Sequence, residues 1–300
     1  MRWISGLALL CALLNGGALS HAKSRPLMAW SATLNIIALS VQERVSLYDG
    51  STQQLLAVLE GKSALTALAW QPAGNLLAMG DADGWLCLWS AAELTRQCRL
   101  LEGSAIRALA WHPSGASLAS ASGDRVHLWQ VEGLALSRVW SAEGLVTALA
   151  WQADQLAVGG ALQGTYEQGF LALYNQFGTA QQRYTAEMRP PLSLQSLADD
   201  RLGVGTPFDV FVWLTQTQHY LPFYLPLSEG EAVRLAAWHP DGVRALIVLD
   251  RRLLCFAEGA LVGEHTLDMP ATALAWTGFS NVALLTEDGS LRFVEAPGCQ

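Results

Sequence analysis

A short turn recurs three times in this chain, as Trp70-Gln-Pro-Ala-Gly74, Trp111-His-Pro-Ser-Gly115 and Trp238-His-Pro-Asp-Gly242. Weaker copies begin at three further tryptophans: Trp30, Trp151 and Trp276. The spacings from Trp30 through Trp70 and Trp111 to Trp151 are 40, 41 and 40 residues. The next position in this register falls on Leu197, which stands 41 residues before Trp238. Because self-similarity at a fixed period of this length marks a repeat architecture, the sequence predicts seven units of about forty residues.

A second marker supports the same register. An aromatic residue closes an apolar strand 16 to 23 residues after each of the seven positions: Tyr48, Trp89, Trp129, Tyr174, Trp213, Phe256 and Phe293. One apolar stretch lies between the two markers and another follows the second, so each unit is predicted to form four short strands separated by turns. Strands that are apolar on both faces indicate sheets that pack against other sheets on both sides. This packing explains a hydrophobic content of 51% without a membrane span.

Four-stranded units at this period, with Trp-x-Pro-x-Gly turns, resemble the WD40 β-propeller family over essentially the whole chain from residue 23. The resemblance implies an all-β fold, a seven-bladed β-propeller of four-stranded blades, whose loops bind another protein. Two features depart from the family pattern. The Trp-Asp dipeptide is absent, with Tyr48-Asp49 the nearest match, and Glu-Gly replaces the Gly-His that precedes the innermost strand. We therefore expect these blades to depend more on aromatic packing than on the family's His–Asp–Trp network.

Closure of the ring decides how many strands the last blade has. WD40 rings usually close by letting the N-terminal strand complete the last blade, and the stretch at the right offset here is Gly16 to Ser20. Since that stretch falls within a predicted signal peptide, the last blade, which ends at Phe293-Val-Glu295, is expected to have three strands. An unpaired edge invites strand addition by a partner. The alternative is that the tail from Ala296 to Gln300 packs well enough by itself.

Residues 1–22 have the pattern of a secretory signal peptide. Arg2 precedes an apolar run from Trp3 to Leu14, and Ser20-His-Ala22 forms a small-residue cleavage site. The sequence predicts cleavage after Ala22, a single propeller over residues 23–300, and a periplasmic or extracellular location; the alternative is an uncleaved anchor helix. A formal net charge of −8 excludes a nucleic-acid binder that depends on a basic face, and no membrane span is expected after cleavage.

Glutamate precedes glycine in four links between units: Glu60, Glu102, Glu143 and Glu229. The register places these residues on one face of the ring, together with the turns between second and third strands. One interpretation is a negative surface for a basic partner or a divalent cation. The other is that the acids of this face are turn residues, which we favour for the Asp83-Gly and Asp288-Gly dipeptides. The acids have no compact calcium-loop spacing, so no metal site is expected.

The fourth and fifth units depart from the repeat. Unit four has a lengthened turn, Gly159 to Gly169, and unit five contains an aromatic segment with prolines. Loops that interrupt a repeat often carry binding residues. The candidate partner-binding residues of this region are Tyr166, Arg189, His219, Tyr220 and Tyr224. The alternative is that the aromatic segment is an outer strand packed on its neighbour, which we favour for Phe211 and Trp213.

Two cysteines of the second unit, Cys87 and Cys98, lie in consecutive predicted strands on either side of a turn. They can face each other and form a disulfide in an exported protein, or they can remain thiols. The sequence has no Cys-x-x-Cys pair and no His/Cys spacing typical of a metal site.

Catalytic signatures are missing from the sequence: it has no nucleophile-elbow serine, phosphate-binding glycine loop or His-Glu-x-x-His. His112 and His239 occupy a turn position that is Gln71 in another copy, so we expect them to fill the turn rather than to catalyse. Arg107 and Arg234 begin innermost strands and are predicted to reach the channel mouth. We therefore predict a non-catalytic exported scaffold that binds another protein and needs no cofactor. The alternative is a small-molecule or anion site, or a weak enzyme, at the channel mouth.

Overall fold

Each Trp-x-Pro-x-Gly turn joins the first strand of a sheet to its second. Gly115 and Gly242 both have a φ of 72°, which L side chains rarely adopt, and this explains the glycine that ends those two turns. In the first copy the positive φ falls on Ala73 instead, at 50°. The computed structural model describes residues 26–93, 95–101, 104–165, 167–184, 186–198, 200–239, 241–277 and 281–296. The predicted signal peptide, Glu102 and Tyr166 lie outside the described residues.

The first three sheets, which we call blades one to three, each contain four strands in chain order. Blade one has β1 (Leu27–Ser31), β2 (Ile36–Val41), β3 (Arg44–Asp49) and β4 (Leu55–Glu60). Blade two has β5 (Leu65–Trp70), β6 (Leu76–Asp81), β7 (Trp85–Ser90) and β8 (Arg96–Leu100). Blade three has β9 (Ile106–Trp111), β10 (Ser117–Ser122), β11 (Arg125–Gln130) and β12 (Ala135–Ser141), with a 3-10 turn at Glu132–Leu134.

The remaining sheets form blades four to seven. Blade four has β13 (Gly144–Gln152), β14 (Gln155–Leu162), β15 (Gly169–Tyr174) and β16 (Ala180–Arg183). Blade five has β17 (Ser193–Ala198), β18 (Arg201–Gly205), β19 (Val210–Leu214) and β20 (His219–Phe223). Blade six has β21 (Val233–Trp238), β22 (Arg244–Leu249), β23 (Arg252–Ala257) and β24 (Ala260–Thr266). Blade seven has β25 (Ala271–Trp276), β26 (Asn281–Thr286) and β27 (Leu291–Glu295).

The first strand of each blade contacts the first strand of the next blade, and β25 contacts β1. These contacts close a ring with seven innermost strands. Among the described residues six blades have four strands and the seventh has three. The prediction of an all-β, seven-bladed propeller whose last blade has three strands is therefore confirmed.

The core lies between the blades rather than within any one of them. The cluster around Val45, Leu47 and Leu77, for example, joins residues from blades one and two. Strand β22 is buried along its whole length because its neighbours cover both of its faces. Each buried apolar side chain contributes about 1.5–3 kcal/mol to folding, so the blades depend on one another for stability.

Tryptophans at the ends of innermost strands bridge neighbouring blades. The indole Nε1 of Trp111 donates to the carbonyl oxygen of Ala69 at 2.9 Å, and that of Trp151 donates to Ala110 at 3.1 Å. Trp276 repeats the contact with Ala237 at 3.3 Å. Each bond crosses from the tryptophan's own blade to the innermost strand of the blade before it.

The position after the tryptophan also contacts the following blade. His112 packs edge-on against Trp151, with ring centroids 4.7 Å apart, and His239 packs in the same way against Trp276 at 4.8 Å. In blade two the side chain of Gln71 donates to the carbonyl oxygen of Gly115 at 2.8 Å. The residues expected only to fill a turn therefore also link the blades on this side of the ring.

A bulge near the start of the innermost strand recurs in five blades, at Thr66, Arg107, Thr147, Arg234 and Thr272. The hydroxyl of Thr66 donates to the carbonyl oxygen of Ile106 at 2.5 Å, and that of Thr147 donates to Pro191 at 2.6 Å. Both acceptors belong to the next blade or its approach. Because a bulge redirects its side chain, these positions link blades near the channel mouth.

The aromatic residue predicted at the end of each third strand is buried in five blades. In blade seven the predicted residue does not occupy that position. Trp89, Trp129, Tyr174, Trp213 and Phe256 are all buried, whereas Tyr48 is only half-buried. In blade seven Val294 pairs with Val282, which in turn pairs with Trp276, so Val294 occupies the marker position. Phe293 is therefore one residue out of register and faces blade one instead.

Substituting Trp111 with Phe should lower the free energy of unfolding by about 1 kcal/mol more than substituting Trp70 with Phe. Both indoles are buried. The Trp111 Nε1 donates a hydrogen bond to Ala69, whereas the Trp70 Nε1 has no partner among the described residues. Loss of ring volume is common to both variants, so the difference isolates the bond between blades. Urea unfolding of the two variants measures it, and equal losses would contradict a stabilising role for the bond.

Candidate functional site

One face of the ring carries the turns between second and third strands and the links from each fourth strand to the next blade; we call it the loop face. Glu60 ends β4, Glu143 stands just before β13, and Glu229 lies in the link between β20 and β21. All three therefore lie on the loop face. The sequence register placed them there, and the strand order is the reason that they share one side.

Arginines offset much of the acidity of this face. The carboxylate of Glu143 accepts a hydrogen bond from Arg183 Nε at 2.7 Å, and this bond raises the pKa of Arg183. Glu60 and Arg44 are 3.9 Å apart and both well exposed, so their attraction is weak. A Cβ on Gly144 would lie 2.0 Å from the carbonyl oxygen of Ala161, which explains the glycine of that Glu-Gly pair.

The Asp-Gly dipeptides of the loop face are turn residues. Gly84 and Gly289 have φ values of 90° and 83°, which favour glycine. Asp288 accepts hydrogen bonds from the Thr286 hydroxyl at 2.6 Å and from the Ser290 amide at 3.0 Å. These bonds lower the pKa of Asp288 to about 2 and direct the carboxylate into its own turn.

A cavity of about 640 Å³ opens on the loop face beside blades four and five; we call it the blade-four cavity. Glu143 and Arg183 line one side, while Glu167 and Arg189 line another. Arg189 pairs with Glu167 at 3.4 Å, and its guanidinium lies 5.9 Å from the Phe208 ring centre. The cavity therefore presents fixed charges of both signs around a partly apolar floor.

Tyr184 connects this cavity to the aromatic segment of blade five. Its ring stacks on Phe211 at 5.1 Å and contacts Trp213 at 5.8 Å and Tyr220 at 6.1 Å. Burial is the main cause that raises the pKa of Tyr184 to about 12, and Tyr220 and Asp209 add to it. Phe211 and Trp213 are buried, as the packing interpretation predicted.

The outer surface of blade five remains exposed. Tyr224 is 83% exposed and Leu221 50% exposed, and Tyr220 is half-buried against the Tyr184 cluster at 49%. His219 begins β20 and is also exposed. Pro222 is tolerated within β20 because this is the outer strand of its sheet.

The candidate residues divide into separate regions. Glu143 and Arg189 meet in the blade-four cavity, and Tyr220 joins them through Tyr184. Glu60 and Glu229 lie on other links of the loop face. The sequence had not singled out Tyr184, Arg183 or Phe208, although the irregular link between blades four and five was the signal that could have found them.

The channel mouth has a second cavity, of about 1090 Å³, beside blades six, seven and one. Arg234 lines it, but the Arg234 guanidinium donates to Asp250 at 2.7 Å, which offsets its charge. Arg107 occupies the equivalent bulge in blade three and does not line this cavity. The two arginines predicted at the channel mouth therefore do not share this cavity.

Cys87 and Cys98 pair directly across β7 and β8, with their Cα atoms 4.1 Å apart, and their sulfurs are joined in a disulfide. This bond ties the fourth strand of blade two to the third.

Comparisons with known proteins agree with this architecture. The model of the anaphase-promoting complex subunit 4 WD40 domain matches residues 28–99, and that of the WD domain, G-beta repeat, matches residues 95–130. These matches cover two of the three full Trp-x-Pro-x-Gly turns, those of Trp70 and Trp111. Residues 28–130 are WD40 repeats within the seven-bladed β-propeller.

One relative is a larger protein, and a solved chain from an assembly has a similar fold. The Arabidopsis thaliana protein named cell division cycle 20.1, cofactor of APC complex, is 34% identical over 80 residues, which are 26% of this chain and 17% of that protein. The match thus spans less than a fifth of the relative's length. A chain in the crystal structure of a mitotic checkpoint complex aligns with a TM-score of 0.75 over 98% of this chain and 99% of its own, at 15% identity. At that identity the likeness shows the fold alone.

The described part of this WD40 propeller holds no group of three or more His, Cys, Asp or Glu side chains that could bind a metal ion. The described residues also contain no helix of the length and apolarity that crossing a membrane requires.

Substituting Tyr184 with Ala should lower the free energy of unfolding by about 3 kcal/mol, because it uncovers Phe211 and Trp213. Substituting Tyr184 with Phe should cost much less, since the ring is kept. Tyr224→Ala, at an 83% exposed position, is the matched control and should change stability by less than about 0.5 kcal/mol. Chemical unfolding of the three variants checks the order, and a large loss for Tyr224→Ala would show that Tyr224 is a packing residue.

Proposed function

We propose that this WD40 propeller is a non-catalytic, exported scaffold that binds another protein through the loop face and outer edge of blades four and five. The observation that carries the proposal is the outer edge of blade five, where Tyr220 contacts Tyr184, which lines the blade-four cavity, and where Tyr224 is 83% exposed. Tyrosine and arginine are enriched at protein interfaces because they combine large apolar area with polar groups. A rigid ring of mutually packed blades holds such a surface in place.

The relatives' names support a protein partner. The matching family model, the Arabidopsis relative and the similar solved chain are all named for multiprotein assemblies. Two ion pairs line the blade-four cavity, Arg183 with Glu143 and Arg189 with Glu167, and Glu187 and Asp209 add negative charge to its lining. A partner would therefore gain affinity by covering apolar area and by bringing positive charge to this cavity.

A small-molecule or anion site, or a weak enzyme, at the channel mouth is supported less well. The cavity is large enough for a ligand, but the charge of Arg234 is already offset by Asp250. Arg107, the second predicted cation, lies elsewhere, so converging groups for an anion or for catalysis are not supplied by these arginines.

Export is supported by two independent features. Residues 1–22 carry the charged start, apolar run and small-residue exit of a signal peptide. The Cys87–Cys98 disulfide suits an oxidising compartment, in which such bonds persist.

The protein partner should be lost when Tyr220 and Tyr224 are both replaced by Ala. We expect at least about a tenfold weaker association, because exposed aromatic side chains at an interface commonly contribute more than 1 kcal/mol each. The tagged protein is purified from its native cells after cross-linking, the partner is identified by mass spectrometry, and its affinity for each variant is measured by titration. Phe177→Ala is the matched control, because Phe177 is 61% exposed in the turn between β15 and β16, on the opposite face. Equal binding by both variants would contradict the proposed surface.

N-terminal sequencing of the protein purified from its native cells tests export. The sequence should begin at Lys23, and the cell fraction that contains the protein should lie outside the cytoplasm. A chain that still begins at Met1 would contradict cleavage after Ala22.

A further inference from the structure

Blade seven differs from the other six at its outer side. Its described strands are β25, β26 and β27, and β27 is the outermost. In every other blade the third strand pairs with a fourth. The edge of β27 therefore presents backbone groups that the equivalent strands of the other blades use for pairing.

Burial along β27 shows the consequence. By register with β26, Leu291 and Phe293 are equivalent to Val45 and Leu47 of blade one. Val45 and Leu47 are 0% and 1% exposed, whereas Leu291 and Phe293 are only half-buried. The same positions that form core in blade one are thus left partly open in blade seven.

The facing side of blade one is open as well. In blade two, Trp89 belongs to a core cluster against which Ala57 and Leu59, from the fourth strand of the preceding blade, are packed. Its equivalent in blade one, Tyr48, lines a cleft of about 400 Å³ between blades one and seven. Val58, which pairs with Ser46 on this side of blade one, is 50% exposed.

The backbone of β27 is oriented to accept a strand. Cys87 and Cys98 form a closely spaced pair, with Cα atoms 4.1 Å apart, which is the spacing of a pair that does not exchange backbone hydrogen bonds. The flanking residues Leu86 and Leu88 therefore direct their backbone groups toward the fourth strand. Leu291 and Phe293 hold the equivalent positions in blade seven, so their N–H and C=O groups point to the open edge.

The chain's own N-terminus does not fill this edge if the proposed cleavage occurs. The links from a fourth strand to the next first strand take two to nine residues in this propeller. Cleavage after Ala22 leaves four residues, 23–26, before β1. A link of two residues and a strand of five do not fit in that length.

We propose that the edge of β27 binds an extended strand from another protein, which pairs with Leu291 and Phe293 and completes blade seven. The bound strand carries apolar side chains at alternate positions, as Ala57 and Leu59 do in β4, and these cover Tyr48 and Phe293. The proposal rests on the proposed function, because it takes the partner to be a protein and the N-terminus to be cleaved. Strand addition is a recognised mode of peptide binding, in which the backbone supplies affinity and alternate side chains supply specificity.

Hydrogen exchange of the β27 amides tests the proposal directly. The propeller purified alone is compared with the cross-link-free complex of the propeller and its co-purified partner. The amides of Leu291 and Phe293 should exchange at least about tenfold more slowly in the complex, because a paired edge amide must open before it exchanges. Partner binding without this protection would overturn strand addition and leave the proposed scaffold function standing. Absence of any protein partner would overturn both.

Two variants strengthen the test. Phe293→Lys places a charge in the cleft and should abolish protection and binding, whereas Gln97→Lys, at an exposed position on the fourth strand of blade two, is the matched control.

The second variant joins a copy of residues 54–60 through a two-residue glycine link to Lys23, so that the chain supplies its own fourth strand. This chain should protect the β27 amides and lose the partner, even if Phe293→Lys does not fold. The proposal would be overturned if the variant with the added strand still bound the partner. It would also be overturned if the purified protein kept residues 1–22 and its β27 amides were already protected without a partner.

Discussion

The contact between neighbouring innermost strands is the constraint on which the rest of the structure depends. No blade of this propeller buries its own apolar faces, because each sheet is covered only by the sheets beside it. The tryptophan at the end of an innermost strand makes this dependence specific. Its ring fills the space between two blades, and in blades three, four and seven its Nε1 also donates to a carbonyl oxygen of the preceding blade. The seven units therefore fold as one ring.

The ring also decides which loops meet. Because every described sheet has the same strand order, the links between blades all lie on one face, and residues forty positions apart in the sequence become neighbours. Glu143 and Arg183 are such a pair, and their charges largely cancel. The loop face is therefore less acidic as a surface than its glutamates suggest, and its distinctive feature is the aromatic region where the repeat is broken. Among the described residues, the outer side of blade seven is where a fourth strand is missing.

Much of the architecture could be predicted because repeated residues report repeated environments. The spacing of the tryptophans determined the number of blades, and the turn signals determined the strand order within them, with three strands described in blade seven. Prediction failed where a single residue shifted against the repeat. Phe293 looked like the last aromatic marker, but pairing of β26 with β27 gives that position to Val294. Tyr184 was overlooked because it lies in a link rather than in a strand, and its role depends on Phe211 and Trp213 in the next blade.

The sequence by itself determined the period, the apolar faces and the turn chemistry, because these are local properties that each unit carries within about forty residues. Only the tertiary structure decided which charges are paired, since Arg234 meets Asp250 and Arg183 meets Glu143 across separate elements. It also decided that Arg107 and Arg234 do not share a cavity, and that Tyr184 packs on Phe211 and Trp213. These outcomes depend on distances between blades, which are set by how the whole ring packs and closes.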